Sequence, residues 1–219
     1  MNGKNNVLKR FYFVRHGQTE DNVNNVYQDA DDLLTEKGKD QASAVAARFV
    51  SIPVDVIIAS NYERARETAK TISEKTGAVL RVSELFREIR RPSDIIGKAR
   101  HEPDPIRIMN EMIQNELISD WHHLDEENLF EALNRARAAI DHLCKSPEEK
   151  IIVVTHELFI KIMLAAMASE DDVKAVEFYR TMRYFMIGDN TGITVSEYGN
   201  FSYDKHFRLR IWNDHAHLQ

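Results

Sequence analysis

The sequence predicts an α/β fold, a three-layer α/β/α sandwich built on a mostly parallel central sheet, and three observations carry that expectation. Short apolar, β-prone runs recur at Phe11–Val14, Val54–Ala59 and Ile151–Val154. Each is followed by a segment whose apolar residues repeat with helical spacing. The runs are nearly continuous rather than alternating, as expected of parallel strands covered by helices on both faces. At 219 residues the chain suits one domain, residues 1–219, carrying a helical insertion at about residues 91–130.

Taken in order, Val7–Val14 ends in Phe-Tyr-Phe-Val and empties at once into the polar stretch RHGQTEDN, so it reads as a buried strand and its exit loop. Thr35 is placed to cap a helix whose inner face carries Ala42, Val45, Ala46 and Phe49. After the strand Val54–Ala59, Ser60 and Glu63 have the spacing of a capping box, opening a helix with Ala65, Thr68, Ala69 and Ile72 inward. Ala78–Val82 is a weaker strand, and residues 83–100 read as an irregular loop. Two helices are expected next, one from Asp104 and one with Leu129, Leu133, Ala136, Ile140 and Leu143 on a stripe, together supplying the helical insertion. Ile151–Val154 leads into an apolar helix ending near Met167, and Tyr184–Ile187, Gly192–Val195 and Phe207–Trp212 read as short closing strands.

Composition excludes several classes. With 43% hydrophobic and 29% charged residues, and only 8 Gly and 5 Pro, the chain is neither disordered nor fibrous. Lys and Arg number 29 against 35 Asp and Glu, a net charge of −6, which argues against general binding to nucleic acid or an anionic membrane. The single cysteine, Cys144, lies on an inward helical stripe and forms no intrachain disulfide, so a cytoplasmic setting is expected. The polar start and the interruption of the most apolar stretch by Lys161 leave no signal peptide or membrane span. Nothing indicates an oligomer.

In open parallel sheets ligands bind beyond the carboxyl ends of the strands. Those ends deliver Arg15 and His16 after the first strand, Arg64 in the first turn after the second, and His156 after the third. Any one of these alone is more simply a solvated or structural residue. Two arginines and two histidines converging on one side of a sheet point to an anion, because the guanidinium fork fits phosphate oxygens and a neutral imidazole is a competent nucleophile toward phosphorus.

These residues resemble the histidine phosphatase superfamily, also called phosphoglycerate mutase-like. RHGQTEDN at Arg15–Asn22 is similar to its RHG signature with trailing Asn, and LTEKGKDQA at Leu34–Ala42 to its LTxxGxxQA segment. SNYERARETA at Ser60–Ala69 resembles the SxxxRAxxTA helix, and VVTHE at Val153–Glu157 stands where the second histidine belongs. The resemblance implies that His16 becomes phosphorylated, that Arg15, Asn22, Arg64 and His156 hold the phosphoryl group, and that Glu88, in LFREI, is the proton donor, with Glu84 and Asp94 as neighbouring carboxylates. Such donors stand in for the metal ions other phosphotransferases use, so neither metal nor cofactor is expected.

Two departures matter. Glu157 follows His156 where the family usually has glycine, and its side chain is expected to point away from the anion pocket. The segment IRRPSDIIGK after Glu88 lacks the RHYG-like stretch of the mutases, which favours hydrolysis of a small phosphomonoester or phosphorylated side chain. The alternatives are a cofactor-dependent phosphoglycerate mutase and a non-catalytic phosphate- or phosphoprotein-binding module. Arg90, Arg91, Lys98, Arg100, Arg107, Trp121, His122 and His123 are candidates for reading the rest of the substrate. His206, His215 and His217 lack a cysteine or carboxylate frame of zinc-like spacing.

Overall fold

The computed structural model describes residues 6–201 and 204–218. Its elements are β1 (Asn6–Arg15), α1 (Glu20–Asn24), α2 (Glu36–Phe49), β2 (Val56–Ala59), α3 (Glu63–Thr76), β3 (Val79–Val82), α4 (Pro103–Asn115), α5 (Leu129–Lys145), β4 (Lys150–Thr155), α6 (Glu157–Ala168), α7 (Asp172–Phe185), β5 (Ile193–Phe201) and β6 (Asp204–Asp214). The six strands form one sheet in the order β3-β2-β4-β1-β5-β6. The β1–β4, β4–β2 and β2–β3 pairs are parallel, whereas β5 runs antiparallel to β1 and β6 antiparallel to β5.

Side-chain alternation along the strands divides the core into the two faces of a sandwich. Tyr12, Val14, Ile57, Ala59, Ile152 and Val154 pack against Val45, Ala46 and Phe49 of α2 and Ala65, Ala69 and Ile72 of α3. Phe11, Phe13, Val56, Ile58, Ile151 and Val153 face the opposite layer, made by α5, α6 and α7. Burying each large apolar side chain contributes roughly 1.5–3 kcal/mol, so this two-sided core fixes which strands are central. A third, smaller cluster of Tyr27, Ile95, Ile108 and Met112 lies under α4, with Met109 and Trp121 against it.

Register places the functional loops. Arg15 pairs with Thr155 and Ala59 with Val154, so the residues after β1, β4 and β2 leave the sheet at one level. Beyond these pairs His16 N–H donates to Thr155 O (3.0 Å) and Ser60 N–H to Val154 O (2.9 Å). The Gly17 loop also lies directly on the start of α2: a Cβ on Gly17 would come within 2.5 Å of Gly38 O, and one on Gly38 within 2.1 Å of Gln18 O. Glycine at both positions allows this backbone contact.

Four expectations are corrected. Tyr184–Ile187 is not a strand: residues 172–185 form α7, whose inward stripe Ala175, Val176, Tyr179 and Met182 has helical spacing, and the aromatic pair Tyr184–Phe185 ends that helix. Ser60 does not form a capping box with Glu63. The helix begins after Tyr62 with no side-chain cap, because Ser60 Oγ accepts the Tyr62 N–H (3.2 Å) and bonds the His156 ring. The helix with the Leu129 stripe belongs to the core layer beside α6, which leaves α4 as the helix of the 91–130 segment. Finally β5 and β6 are long, pairing from Ile193–Asp214 to Phe201–Asp204. No described helix is long and apolar enough to cross a membrane.

Candidate functional site

Beyond the strand ends lies a cavity of about 830 Å³. Arg15, His16, Asn22, Arg64 and Glu88 line it, together with Glu157, Tyr62, Tyr27 and several side chains between Ile89 and Ile113. The alternative carboxylates are elsewhere: Glu84 is exposed, and Asp94 accepts from His123 (3.0 Å).

His16 is 2% exposed, and two contacts set its tautomer. Nδ1 lies 2.7 Å from its neighbour's carbonyl, Gly17 O, and must donate to it, while Arg64 Nε–H donates to Nε2 at 3.2 Å. An imidazole donating from Nδ1 and accepting at Nε2 is neutral. Burial, reinforced by the charges of Arg64 and Arg15, holds its pKa well below the ordinary histidine range.

Arg64 is 2% exposed and anchored by Nη1 to Asp29 O (2.6 Å), with its guanidinium 5.1 Å from the Tyr62 ring centroid. Asn22 sits in the capping box of α1. Its Oδ1 accepts from Thr19 N–H (3.2 Å) and Asn190 Nδ2 (3.2 Å), and Asn190 Nδ2 also donates to His16 O (3.0 Å). The Asn22 carbonyl is thus consumed, leaving its amide nitrogen as the group available to the cavity.

His156 is fully buried behind His16, with ring centroids 5.2 Å apart, and is not itself among the lining residues. Its Nε2 contacts Ser60 Oγ at 2.8 Å, and its Nδ1 is buried with no protein partner. Burial first, then Arg64 and His16, keeps this ring neutral as well.

Glu88 is tied to the start of α6. Its Oε1 accepts from Ile89 N–H (2.9 Å) and Phe159 N–H (3.0 Å), and its Oε2 from Leu158 N–H (3.3 Å). These amides favour the anion, but burial outweighs them and raises the carboxyl above its usual range. The backbone around it is held by Glu127, 5% exposed, which takes a bidentate pair from Arg87 (2.7 and 3.0 Å) and two contacts from Arg135 (2.7 Å each). Arg135 in turn donates to Leu85 O and Arg87 O (2.9 Å each). Glu127, Arg135 and Asn190 carry no motif signal, since the site groups they hold, among them Leu85 O, Arg87 and His16 O, lie far away along the chain.

Glu157 does not point away. Its Oε2 lies 3.2 Å from Arg15 Nη1, and its Oε1 accepts from Lys161 Nζ (2.7 Å) and Gly188 N–H (3.3 Å). Lys161, 1% exposed, balances the extra carboxylate, and Arg15 Nη1 also donates to Gly188 O. Of the candidate specificity residues, Arg90, Arg91 and Arg100 line the cavity; Lys98, Arg107, Trp121, His122 and His123 do not. Among the described residues no group of three or more His, Cys, Asp or Glu side chains is arranged to hold a metal ion.

"Putative phosphoserine phosphatase 2" of Hydrogenobacter thermophilus is 32% identical over 152 residues, covering 68% of this chain and 73% of that protein. "Probable phosphoglycerate mutase GpmB" of an Enterobacter species is 28% identical over 165 residues, 73% of this chain and 75% of the other. Among solved structures, a mycobacterial glucosyl-3-phosphoglycerate phosphatase superposes with a TM-score of 0.76 at 24% identity, covering 94% of this chain and 99% of that one. A phosphoserine phosphatase of Entamoeba histolytica also gives 0.76, at 23% identity over 96% and 100% of the two chains. These two likenesses establish the fold. The model of the histidine phosphatase superfamily (branch 1) matches residues 11–215, nearly the whole described sheet and both histidine loops, and the chain belongs to that superfamily.

Proposed function

We propose that the chain is a metal-independent phosphomonoesterase working through a phosphohistidine at His16. The observation that carries this reading is the state of His16: a neutral imidazole with its proton on Nδ1 and its Nε2 lone pair toward Arg64, lining one cavity with a carboxyl whose pKa is raised.

In the first step Arg64 Nε–H turns from the Nε2 lone pair to a phosphoryl oxygen, the freed Nε2 attacks phosphorus, and the bond from phosphorus to the ester oxygen breaks. Glu88, protonated, gives its proton to the departing oxygen, releasing the alcohol and becoming a carboxylate. Arg15, Arg64 and the Asn22 amide hold the phosphoryl oxygens. His156 Nδ1, orphaned in the structure, supplies a further donor when Ser60 O–H satisfies its Nε2. In the second step the Glu88 carboxylate takes a proton from water, whose oxygen attacks phosphorus; the nitrogen–phosphorus bond breaks, phosphate leaves, and Glu88 is again protonated. Fixed cations and donors surround the phosphoryl group, so charge neutralisation needs no metal.

Phosphate release from a panel of phosphomonoesters in excess chelator, with wild type and His16→Ala side by side, tests this reading. Turnover that survives chelation and disappears in His16→Ala is the expected result. The 28% identity to a mutase relative makes transfer between positions of phosphoglycerate the reading to adopt if a phosphorylated enzyme forms but no phosphate is released.

A further inference from the structure

From the cations of the cavity we infer a second anion subsite, formed by Arg91 and Arg100, so that the substrate is a phosphomonoester carrying a second acidic group. This inference rests on the phosphatase reading above and specifies the substrate class.

The cavity of about 830 Å³ lies toward the upper end of the range for small-molecule sites, roughly 300–1,000 Å³, so the phosphoryl group fills only its floor. Five arginines besides Arg64 line it, and three are already engaged. Arg15 pairs with Glu157, Arg90 Nε donates to Asp125 O (2.6 Å), and Arg183 is held by Glu116 (2.7 Å). Among the described residues Arg91 and Arg100 have no carboxylate within ion-pair distance: Arg91 Nη1 reaches Met109 Sδ at 4.0 Å, and the Arg100 guanidinium stacks 4.7 Å from the Tyr27 ring centroid. The cavity's carboxylates are committed elsewhere. Glu88 is bound to the α6 amides, Glu157 to Lys161 and Arg15, Asp125 to Ser93 N–H (2.9 Å) and Asp29 to Ala30 N–H (2.6 Å).

The two free cations stand on fixed backbone. Arg90, just before Arg91, is clamped by Glu127 through its N–H (3.2 Å) and its carbonyl (3.0 Å). Arg100 is tied to the loop after α1 by its own N–H to Asn25 O (2.9 Å), and Tyr27 N–H donates to Lys98 O (3.0 Å). Arg100 feels the charges of both Arg91 and Arg15, so the two lie within electrostatic reach of each other and of the phosphoryl floor. Glu88 also acts on both arginines, but with its own oxygens held by backbone amides it forms an ion pair with neither, and two like charges so placed in one cavity are stabilised by a bound anion. Ile96, Ile106, Met109 and Ile113 form the adjoining wall, which suits an uncharged body between the two anionic ends.

The test compares matched esters in wild type, Arg91→Gln, Arg100→Gln and the double variant. Phosphoserine is set against its decarboxylated analogue phosphoethanolamine, and fructose 1,6-bisphosphate against fructose 6-phosphate, with phenyl phosphate as the ester lacking any second group. Wild type is expected to favour the member with the extra anion in one pair, which identifies carboxylate or phosphate as that group. The double variant is expected to lose that preference through KM, by about 10- to 100-fold as for one charged hydrogen bond, while phenyl phosphate, whose leaving group needs little protonation from Glu88, changes far less. Equal losses on phenyl phosphate, or a wild type that cleaves phenyl phosphate yet prefers neither acidic ester, would overturn the subsite. Calorimetric binding of both pairs to His16→Ala, with and without the double change, reads the subsite without turnover. Extra-anion affinity that depends on the two arginines, alongside a wild type inactive on every ester, would reject the hydrolytic reading and keep the subsite.

Discussion

Arg64 bridges the nucleophile and the loop opposite it: Nε–H donates to His16 Nε2 at 3.2 Å while Nη1 donates to Asp29 O at 2.6 Å. Both bonds use the planar fork, and a lysine in the same place offers one point charge that cannot reach both acceptors. On the proposed mechanism Arg64→Lys keeps the charge and loses the geometry. The expected result is a fall in kcat of about 100- to 1,000-fold, the typical effect of removing one transition-state donor, with the fold intact by circular dichroism. Activity within a few-fold of wild type would mean that charge alone suffices.

Glu88 is the proposed acid, and its pKa lies above the usual carboxylate range, first because of burial and against the pull of the Ile89 and Leu158 amides and of Arg91 and Arg64. The protonated form needed for the first step therefore persists to higher pH than for an exposed glutamate, and is lost as pH rises through the shifted value. Since His16 is already neutral, the alkaline decline of kcat/KM reports Glu88. Glu88→Gln is expected to remove that decline relative to wild type and to lower kcat/KM for an alkyl ester about 100- to 10,000-fold. An aryl ester with a good leaving group needs little protonation and should lose much less. Equal losses on the two esters would exclude Glu88 as the acid.

How much of this was legible beforehand follows from where each signal resides. The four central strands and helices α2, α3, α5 and α6 carry their apolar pattern within a single segment, and the register of β1 on β4 then aligns His16 with His156 without further instruction. The end of helix α7 reads as a strand because β-prone Tyr184 and Phe185 stand exposed there, 71% and 84%, where packing does not decide conformation. Ser60 looked like a cap because local spacing cannot show that His156, 96 residues on, claims its hydroxyl. Glu157 has Lys161 at the local i,i+4 spacing of a helical ion pair, but only the folded chain shows that this lysine is buried and that Arg15 and Gly188 also hold the carboxylate.

Glu127 makes a prediction about positioning. Its carboxylate is held below the usual range: burial pushes it up, but the bonds and charges of Arg135 and Arg87 prevail. Removing one partner from a buried ion pair typically costs about 3–5 kcal/mol, because the stranded charges stay buried. Glu127→Gln preserves the shape and strands two arginines, so urea unfolding should show a loss toward the lower end of that range, since Arg87 remains 22% exposed. Because the same cluster holds residues 85–90, the variant's alkaline decline in kcat/KM should also move. A stability loss with an unmoved pH profile would assign Glu127 to the fold alone.

Acid sensitivity follows from the two buried rings. His16 and His156 both have folded-state pKa values well below the ordinary value of about 6.5, chiefly through burial. Between that shifted value and about 6.5 the unfolded chain binds more protons than the folded one, so the stability these rings contribute is complete above about 6.5 and is lost as pH falls through the folded-state value. Each contributes a slope of up to about 1.4 kcal/mol per pH unit. Asp32, pushed up to about 6 by burial and by Asp21, acts with the opposite sign below that pH and would blur a single profile. The difference between wild type and His156→Asn removes that background, because Asp32 is common to both. Melting temperatures taken from pH 7.5 down to 5 should fall less steeply for His156→Asn than for wild type. Parallel curves would mean that His156 has the same pKa folded and unfolded, and a wild type that falls less steeply than the variant would mean that the ring is held charged; either would remove the ground for treating its Nδ1 as a neutral donor to the phosphoryl group.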